Sequence, residues 1–179
     1  MPEIPPQYLE DASGYRGHAE RLIVAEDEAA VARALGEAAA ARVPVTISGA
    51  GTGVTGARVP FGGWVLSLEK LNRIEIGQGE ATVGAGALLG ELHAAAQRSG
   101  QFYPPDPTET SASVGGTIAT NASGSRSFRF GATRRWVRAL RVGQVAAVAV
   151  PSYCLRLPCR LIQGTRQKLL LRINVSWFC

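Results

Sequence analysis

The stretch Pro44–Gly56, read P-V-T-I-S-G-A-G-T-G-V-T-G, constrains this chain more than any other. Val45, Thr46, Ile47 and Ser48 favour a strand. Gly49, Gly51, Gly53 and Gly56 follow at tight spacing. Glycine accepts positive φ and carries no Cβ, so a run of glycines lets successive backbone N–H groups curl into a nest that suits a phosphate. A flexible turn between strands would look the same, and these residues alone leave both readings open.

Gly51-x-Gly53-x-x-Gly56 fits the dinucleotide-binding fingerprint, but that fingerprint works only where a helix begins at the loop. Here Ala57 to Gly63 follows, with Pro60 and the pair Gly62-Gly63. Proline breaks a helix interior and glycine disfavours one. Trp64 to Leu68 then reads as a strand. The loop joins strand to strand, which argues against a Rossmann unit. No Gly-Lys-Ser/Thr follows the glycines, which excludes a P-loop.

The flanking segments read as mixed α and β structure. Residues 1–20 form a polar, Pro-rich arm. Arg21–Ala25 is a short buried strand. Glu26–Arg42 is a helix: its acidic start suits the positive helix N-terminus, and Val31, Ala34, Leu35 and Ala38 recur at helical spacing. Pro44 stops it, giving a strand–helix–strand unit. Ala81–Gly86 is a strand kept thin by Gly and Ala. Leu88–Ser99 is a second helix closed by Gly100. Phe102-Tyr103 runs into the rigid corner Pro104-Pro105-Asp106-Pro107. A second small-residue stretch, Ser111–Gly124, follows, where bulky side chains would obstruct a ligand lying against the backbone.

Charge separates the chain into a body and a tail. All 14 acidic residues lie at or before Glu109, while 14 of the 19 basic residues lie in 1–143. The body is neutral, and the net charge of +5 belongs to residues 144–179. An overall basic balance therefore says little about nucleic-acid affinity of the body. Arginines 126, 129, 134, 135, 138 and 141 read as a solvated face or as phosphate counter-charges, since no regular base-stacking aromatics are interleaved. All three cysteines sit in the tail. Cys154 and Cys159 make a lone C-x₄-C without a second pair or a nearby His, so no zinc site is expected. No run approaches the ~20 apolar residues of a membrane-spanning helix. The start, Met1–Pro6, lacks the pattern of a signal peptide, which points to a cytoplasmic location.

Taken in order, Pro44–Gly56, Ser67-Leu68-Glu69-Lys70-Leu71-Asn72-Arg73-Ile74, Pro105-Asp106-Pro107, Val114-Gly115-Gly116, Asn121-Ala122-Ser123-Gly124 and Phe130-Gly131 resemble the FAD-linked oxidases of the p-cresol methylhydroxylase or vanillyl-alcohol oxidase type. Within that family the chain is similar to the FAD subunit of glycolate oxidase and to the D-lactate dehydrogenases. The resemblance spans roughly residues 8–143. It implies an α+β fold in which two small α/β subdomains clasp FAD. The pyrophosphate would lie against Ser48, Gly49, Ala50, Gly51, Thr52, Gly53 and Gly56. Pro105, Asp106, Ser113, Gly115, Gly116, Asn121, Ala122 and Gly124 would pass the cofactor from the other side.

Some relatives attach FAD through a histidine in the first loop. This loop has none, and His18 and His93 lie outside both glycine segments, so FAD is expected to be non-covalent. The parent activity implied is oxidation of a small 2-hydroxy acid, with no catalytic acid or base named on this chain. Departures from the family are Phe130-Gly131 in place of Tyr-Gly and everything after Val142. The family's Val-rich strand, Asp-Gly hairpin and substrate cap are not matched. Residues 21–143 are thus expected to be an FAD-binding domain whose second subdomain is incomplete. Residues 144–179 are expected to be a divergent basic tail, read as a frameshift or truncation product against the competing reading of a genuine tail, with Leu169–Val175 either a strand or an exposed sticky segment. A chain ending in this way would leave sheet edges unpaired.

Overall fold

The computed structural model describes residues 3–144, 153–156 and 168–176. The sequence readings of Val145–Pro151, Cys159 and Cys179 lie outside the described residues.

A three-stranded parallel sheet forms from β1 (Arg21–Val24), β2 (Val45–Ser48) and β3 (Trp64–Ser67), in the order β1-β3-β2. The strand–helix–strand unit is present, but β1 and β2 are not neighbours, because β3 inserts between them. Helix α1 (Glu28–Ala41) connects β1 to β2. It starts where the Asp27 carboxylate accepts the Ala30 N–H at 2.6 Å, an N-cap that satisfies an otherwise orphaned donor. It ends where Arg42 turns left-handed at φ 55° and Pro44 forbids another turn. Its Val31, Ala34, Leu35 and Ala38 are buried, and the first three pack in one cluster with Ala25, Leu66, Leu68 and Ala85. Burying each branched side chain contributes about 1.5–3 kcal/mol.

The second layer is a five-stranded antiparallel sheet. Its strands are β4 (Ile74–Ile76), β5 (Glu80–Gly84), β6 (Val137–Gln144), β7 (Tyr153–Arg156) and β8 (Lys168–Ser176), in the order β4-β5-β8-β6-β7. Leu169–Val175 is therefore a strand, and β8 pairs with β5 on one side and β6 on the other, so neither of those strands is left as an edge. Helices α2 (Leu89–Arg98) and α3 (Val114–Ala119) share with this sheet a core of Val83, Leu89, Leu92, Tyr103, Val114, Ile118, Trp136 and Leu140. After α2, Gly100 takes φ +73° and the Gln101 N–H reaches back to the Ala96 carbonyl at 3.0 Å, a glycine C-terminal stop. A four-residue helix, α4 (Ser127–Phe130), precedes β6.

Two glycines permit the seam between the layers. A Cβ on Gly84 would run into the Leu71 carbonyl, and one on Gly86 into the Leu68 carbonyl. The layers are also tied by Arg141 of β6, whose Nη1 donates to Glu28 at the start of α1 at 2.7 Å.

Candidate cofactor-binding site

The first glycine loop leaves the carboxyl end of β2, where Ser48 pairs in register with Ser67 of β3 and both are fully buried. No helix follows it. The chain passes through Gly49–Gly63 and re-enters the same sheet as β3, which agrees with the strand-to-strand reading. Gly51 and Gly56 sit at φ +79° and +72°, in the left-handed region that glycine occupies without strain.

The hydrogen bonding of this loop is one-sided. The Gly49 carbonyl accepts Arg58 Nη1 at 2.7 Å, and the Gly51 carbonyl accepts the Ala12 N–H at 3.2 Å. A trans peptide points its N–H away from its C=O. The N–H groups of Ala50 and Thr52 are thus aimed opposite to Arg58 and Ala12. Among the described residues, no acceptor meets the N–H of Gly49, Ala50, Gly51, Thr52, Gly53, Val54 or Thr55. A row of oriented, unpartnered donors on a glycine-rich turn is an anion receptor. The residues present therefore fit a pyrophosphate bridge.

The second segment is built differently from the sequence reading. Val114–Ala119 is a helix despite Gly115-Gly116. Ser113 caps it, accepting the Gly116 N–H at 3.3 Å, and Arg134 closes it, with Nε on the Ile118 carbonyl at 2.9 Å and Nη2 on the Ala119 carbonyl at 2.5 Å. The N–H groups of Val114 and Gly115 donate to the Ala87 and Ala85 carbonyls at 2.8 and 2.9 Å. The smallness of Gly115 is used within the fold, since a Cβ there would lie 2.8 Å from the Ala85 oxygen. Asn121 follows in the left-handed region at φ 52°, and its Oδ1 accepts the Arg134 N–H at 3.0 Å. The Ala122 carbonyl accepts both the N–H and the hydroxyl of buried Thr133, at 3.1 and 2.7 Å.

The structure joins the predicted residues in two places. Gly49 of the first loop meets Ser113: a Cβ on Gly49 would lie 2.5 Å from its Oγ. The Pro105-Asp106 corner meets Gly124 through a Pro107–Gly124 bridge, and a Cβ on Gly124 would run into the Asp106 carbonyl. Asp106 also pairs with Arg126 at 3.3 Å.

Several residues around these segments carry no signal in the sequence. His93 of α2 is bonded through Nε2 to the Pro105 carbonyl at 2.8 Å, which ties the proline corner to the helix. Tyr103 is buried beside it with ring centroids 5.6 Å apart, and burial pushes its phenol pKa up. Arg58 stands in no motif between Ala57 and Val59, yet it is the side chain that grips the loop. Desolvation lowers its pKa while the Asp11 carboxylate opposes that shift. Among the arginines of 126–141, Arg126, Arg134, Arg138 and Arg141 have internal partners, Arg138 donating to Glu80 at 3.0 Å. No helix among the described residues is long and apolar enough to cross a membrane.

Comparison with known proteins agrees with this architecture. Residues 19–145 match the family described as FAD binding domain. D-lactate dehydrogenase of Anaerostipes hadrus is 41% identical over 150 residues, 78% of this chain and 31% of that protein. The glycolate oxidase subunit GlcD of Bacillus subtilis (strain 168) is 34% identical over 133 residues, covering 72% of this chain and 28% of that protein. The chain thus spans about a third or less of the length of these relatives. Among solved structures, aclacinomycin oxidoreductase superposes with a TM-score of 0.79 at 19% identity, over 94% of this chain and 37% of that one. Cholesterol oxidase from B. sterolicum gives 0.79 at 18%, over 95% and 36%. A small parallel sheet beside an antiparallel one, a one-sided glycine cradle and a family match over most of the chain lead to one conclusion: this chain belongs to the FAD binding domain family, with FAD as its cofactor.

Proposed function

We propose that residues 21–143 are the cofactor-holding part of a flavin-dependent oxidoreductase whose substrate is a small 2-hydroxy acid such as D-lactate or glycolate. The observation that carries the reading is the run of unpartnered N–H groups from Gly49 to Thr55. Ser48–Gly53 and Gly56 would hold the pyrophosphate, with Ser113 closing the far side at Gly49 and with Pro105, Asp106, Gly115, Gly116, Asn121, Ala122 and Gly124 along the second wall. FAD, when bound, supplies the hydride acceptor for oxidation of the hydroxyl-bearing carbon. The chain's own part is to bind and orient it and to keep bulk off its phosphates. The substrate class is supported by the names of the relatives, D-lactate dehydrogenase and a glycolate oxidase subunit. Non-covalent attachment is supported by the absence of histidine between Pro44 and Gly56, and by the engagement of His93 with Pro105.

A second reading, a flavin-binding domain without turnover, is favoured by the family match ending at residue 145. Residues 144–179 are, in this reading, a divergent tail, of which β7 and β8 pair into the second sheet. The test is to purify the chain, record its flavin spectrum and titrate it anaerobically with D-lactate and with glycolate. Flavin bands that bleach with either acid support the oxidoreductase. Flavin bands that do not bleach support the second reading. A chain that takes up no FAD overturns both. Flavin that stays on the chain after denaturation overturns non-covalent attachment.

A further inference from the structure

Arg58 does more than contact the loop. Its Nη1 donates to the Gly49 carbonyl at 2.7 Å, and its Nη2 donates to the carbonyls of Gln7 and Glu10, the latter at 3.0 Å. One guanidinium thus joins the glycine loop to a segment more than forty residues earlier. That segment is fastened at several further points. Ala12 N–H reaches the Gly51 carbonyl at 3.2 Å, and His18 N–H reaches the Pro60 carbonyl at 2.9 Å. Gly17 N–H closes on the Leu9 carbonyl at 2.8 Å, and the Tyr8 hydroxyl donates to the Glu69 carboxylate at 3.0 Å. Gly51 leaves room for the guanidinium, since a Cβ there would fall 2.7 Å from Arg58 Nη1. The planar fork of arginine suits this role, because one rigid group can hold several carbonyls at once.

We propose that Arg58 is a positioning residue that couples an N-terminal clasp, residues 5–18, to the FAD loop, so that clasp and loop order together. The proposal rests on the reading of the loop as the pyrophosphate site. Its physical basis is peptide geometry. Holding the Gly49 carbonyl on the Arg58 side turns the Ala50 N–H to the other side, and Ala12 does the same for Thr52 through Gly51. Binding of an anion to those N–H groups and closure of the clasp then favour one another, as linked equilibria must.

The test uses the full 179-residue chain and its Arg58→Met, Arg58→Lys and Tyr8→Phe variants. The readouts are FAD affinity, the rate of tryptic cleavage after Arg16 with and without FAD, and the melting temperature. In the native chain FAD is expected to slow cleavage at Arg16. Arg58→Met is expected to weaken FAD on the order of tenfold or more and to abolish that protection, as for loss of charged hydrogen bonds. Arg58→Lys, which can reach fewer carbonyls, should restore part of both. Tyr8→Phe leaves the loop untouched, and its small change keeps the test valid if Arg58→Met does not fold. It should speed cleavage and weaken FAD to a lesser degree. Arg58→Met that melts lower yet binds FAD as the native chain does would overturn the coupling and leave the site reading standing. So would an Arg16 cleavage rate indifferent to FAD. A native chain that takes up no FAD overturns the site reading and the coupling together.

Discussion

Gly49 and Ser113 touch across the candidate site, with the Ser113 Oγ standing 2.5 Å from where a Gly49 Cβ would be. The contact is the point at which the two glycine-rich segments converge, and the same Oγ caps α3 by accepting the Gly116 N–H. Gly49→Ala should therefore displace Ser113 from its cap, at a cost of about 1 kcal/mol. It should also spread the two walls, lowering FAD affinity on the order of tenfold. Flavin titration and thermal melting of the same variant check both effects. Unchanged FAD affinity would show that this contact lies away from the cofactor.

The glycines differ sharply in what surrounds them, which yields a paired prediction. Gly36 lies in α1 with nothing within 4 Å of an added Cβ. Gly36→Ala should stabilise the chain by about 0.5–1 kcal/mol, since alanine is the better helix former. Gly86 abuts the Leu68 carbonyl. Gly86→Ala should destabilise by roughly 3 kcal/mol or more, because backbone on both sides has to move. Chemical denaturation of the two variants measures the difference, and equal midpoints would refute the seam described between the layers.

Arg134 should behave as a structural residue of the second wall. It supplies donors to the Ile118 and Ala119 carbonyls, and its N–H meets Asn121 Oδ1. Arg134→Ala removes the guanidinium donors from the end of α3, where the Ile118 carbonyl keeps only backbone donors such as the Asn121 N–H at 3.1 Å, at a cost of about 1–3 kcal/mol. The loss should appear as a lower melting temperature, and hydrogen exchange should rise in residues 114–122 before it rises in α1.

These contrasts show which parts of the fold the sequence makes legible. The cradle is legible because glycine spacing after a β-branched run is a local property, and α1 is legible because its apolar repeat is local and is bracketed in sequence by Asp27 and Pro44. Helix α3 is not, because Gly115-Gly116 disfavours a helix locally by about 1 kcal/mol per residue. Its stability comes from Ser113, from Arg134 and from burial of Val114 and Ile118. Arg58 and His93 are equally invisible, since their partners Gln7, Glu10 and Pro105 are fixed only by tertiary folding. The same holds for Leu169–Val175, whose place between β5 and β6 depends on pairing distant in sequence.

The clasp also has a pH signature. Asp11 Oδ1 accepts the Ser13 hydroxyl and the Ser13 N–H, the latter at 2.9 Å. These bonds favour the ionised carboxylate, the Ser13 hydroxyl most of all, and hold its pKa below the ordinary 3.8. A carboxyl whose pKa is depressed by folding binds its proton less readily in the folded chain than in the unfolded one. Its contribution to stability is therefore fully present above the unfolded value and is lost as pH falls through the folded value. The difference in melting temperature between the native chain and Asp11→Asn should be constant from about pH 7 down to about pH 5. It should then shrink as the pH drops below 3.8. Taking the difference between the two chains cancels Glu109, which Ser111 holds low in the same way. Tryptic cleavage after Arg16 at pH 7 should be faster in Asp11→Asn, because the variant loses the negative charge that favours the Arg58 guanidinium within the clasp. A melting difference that stays constant below pH 3.8 would show that the ionised form of Asp11 does not support the clasp.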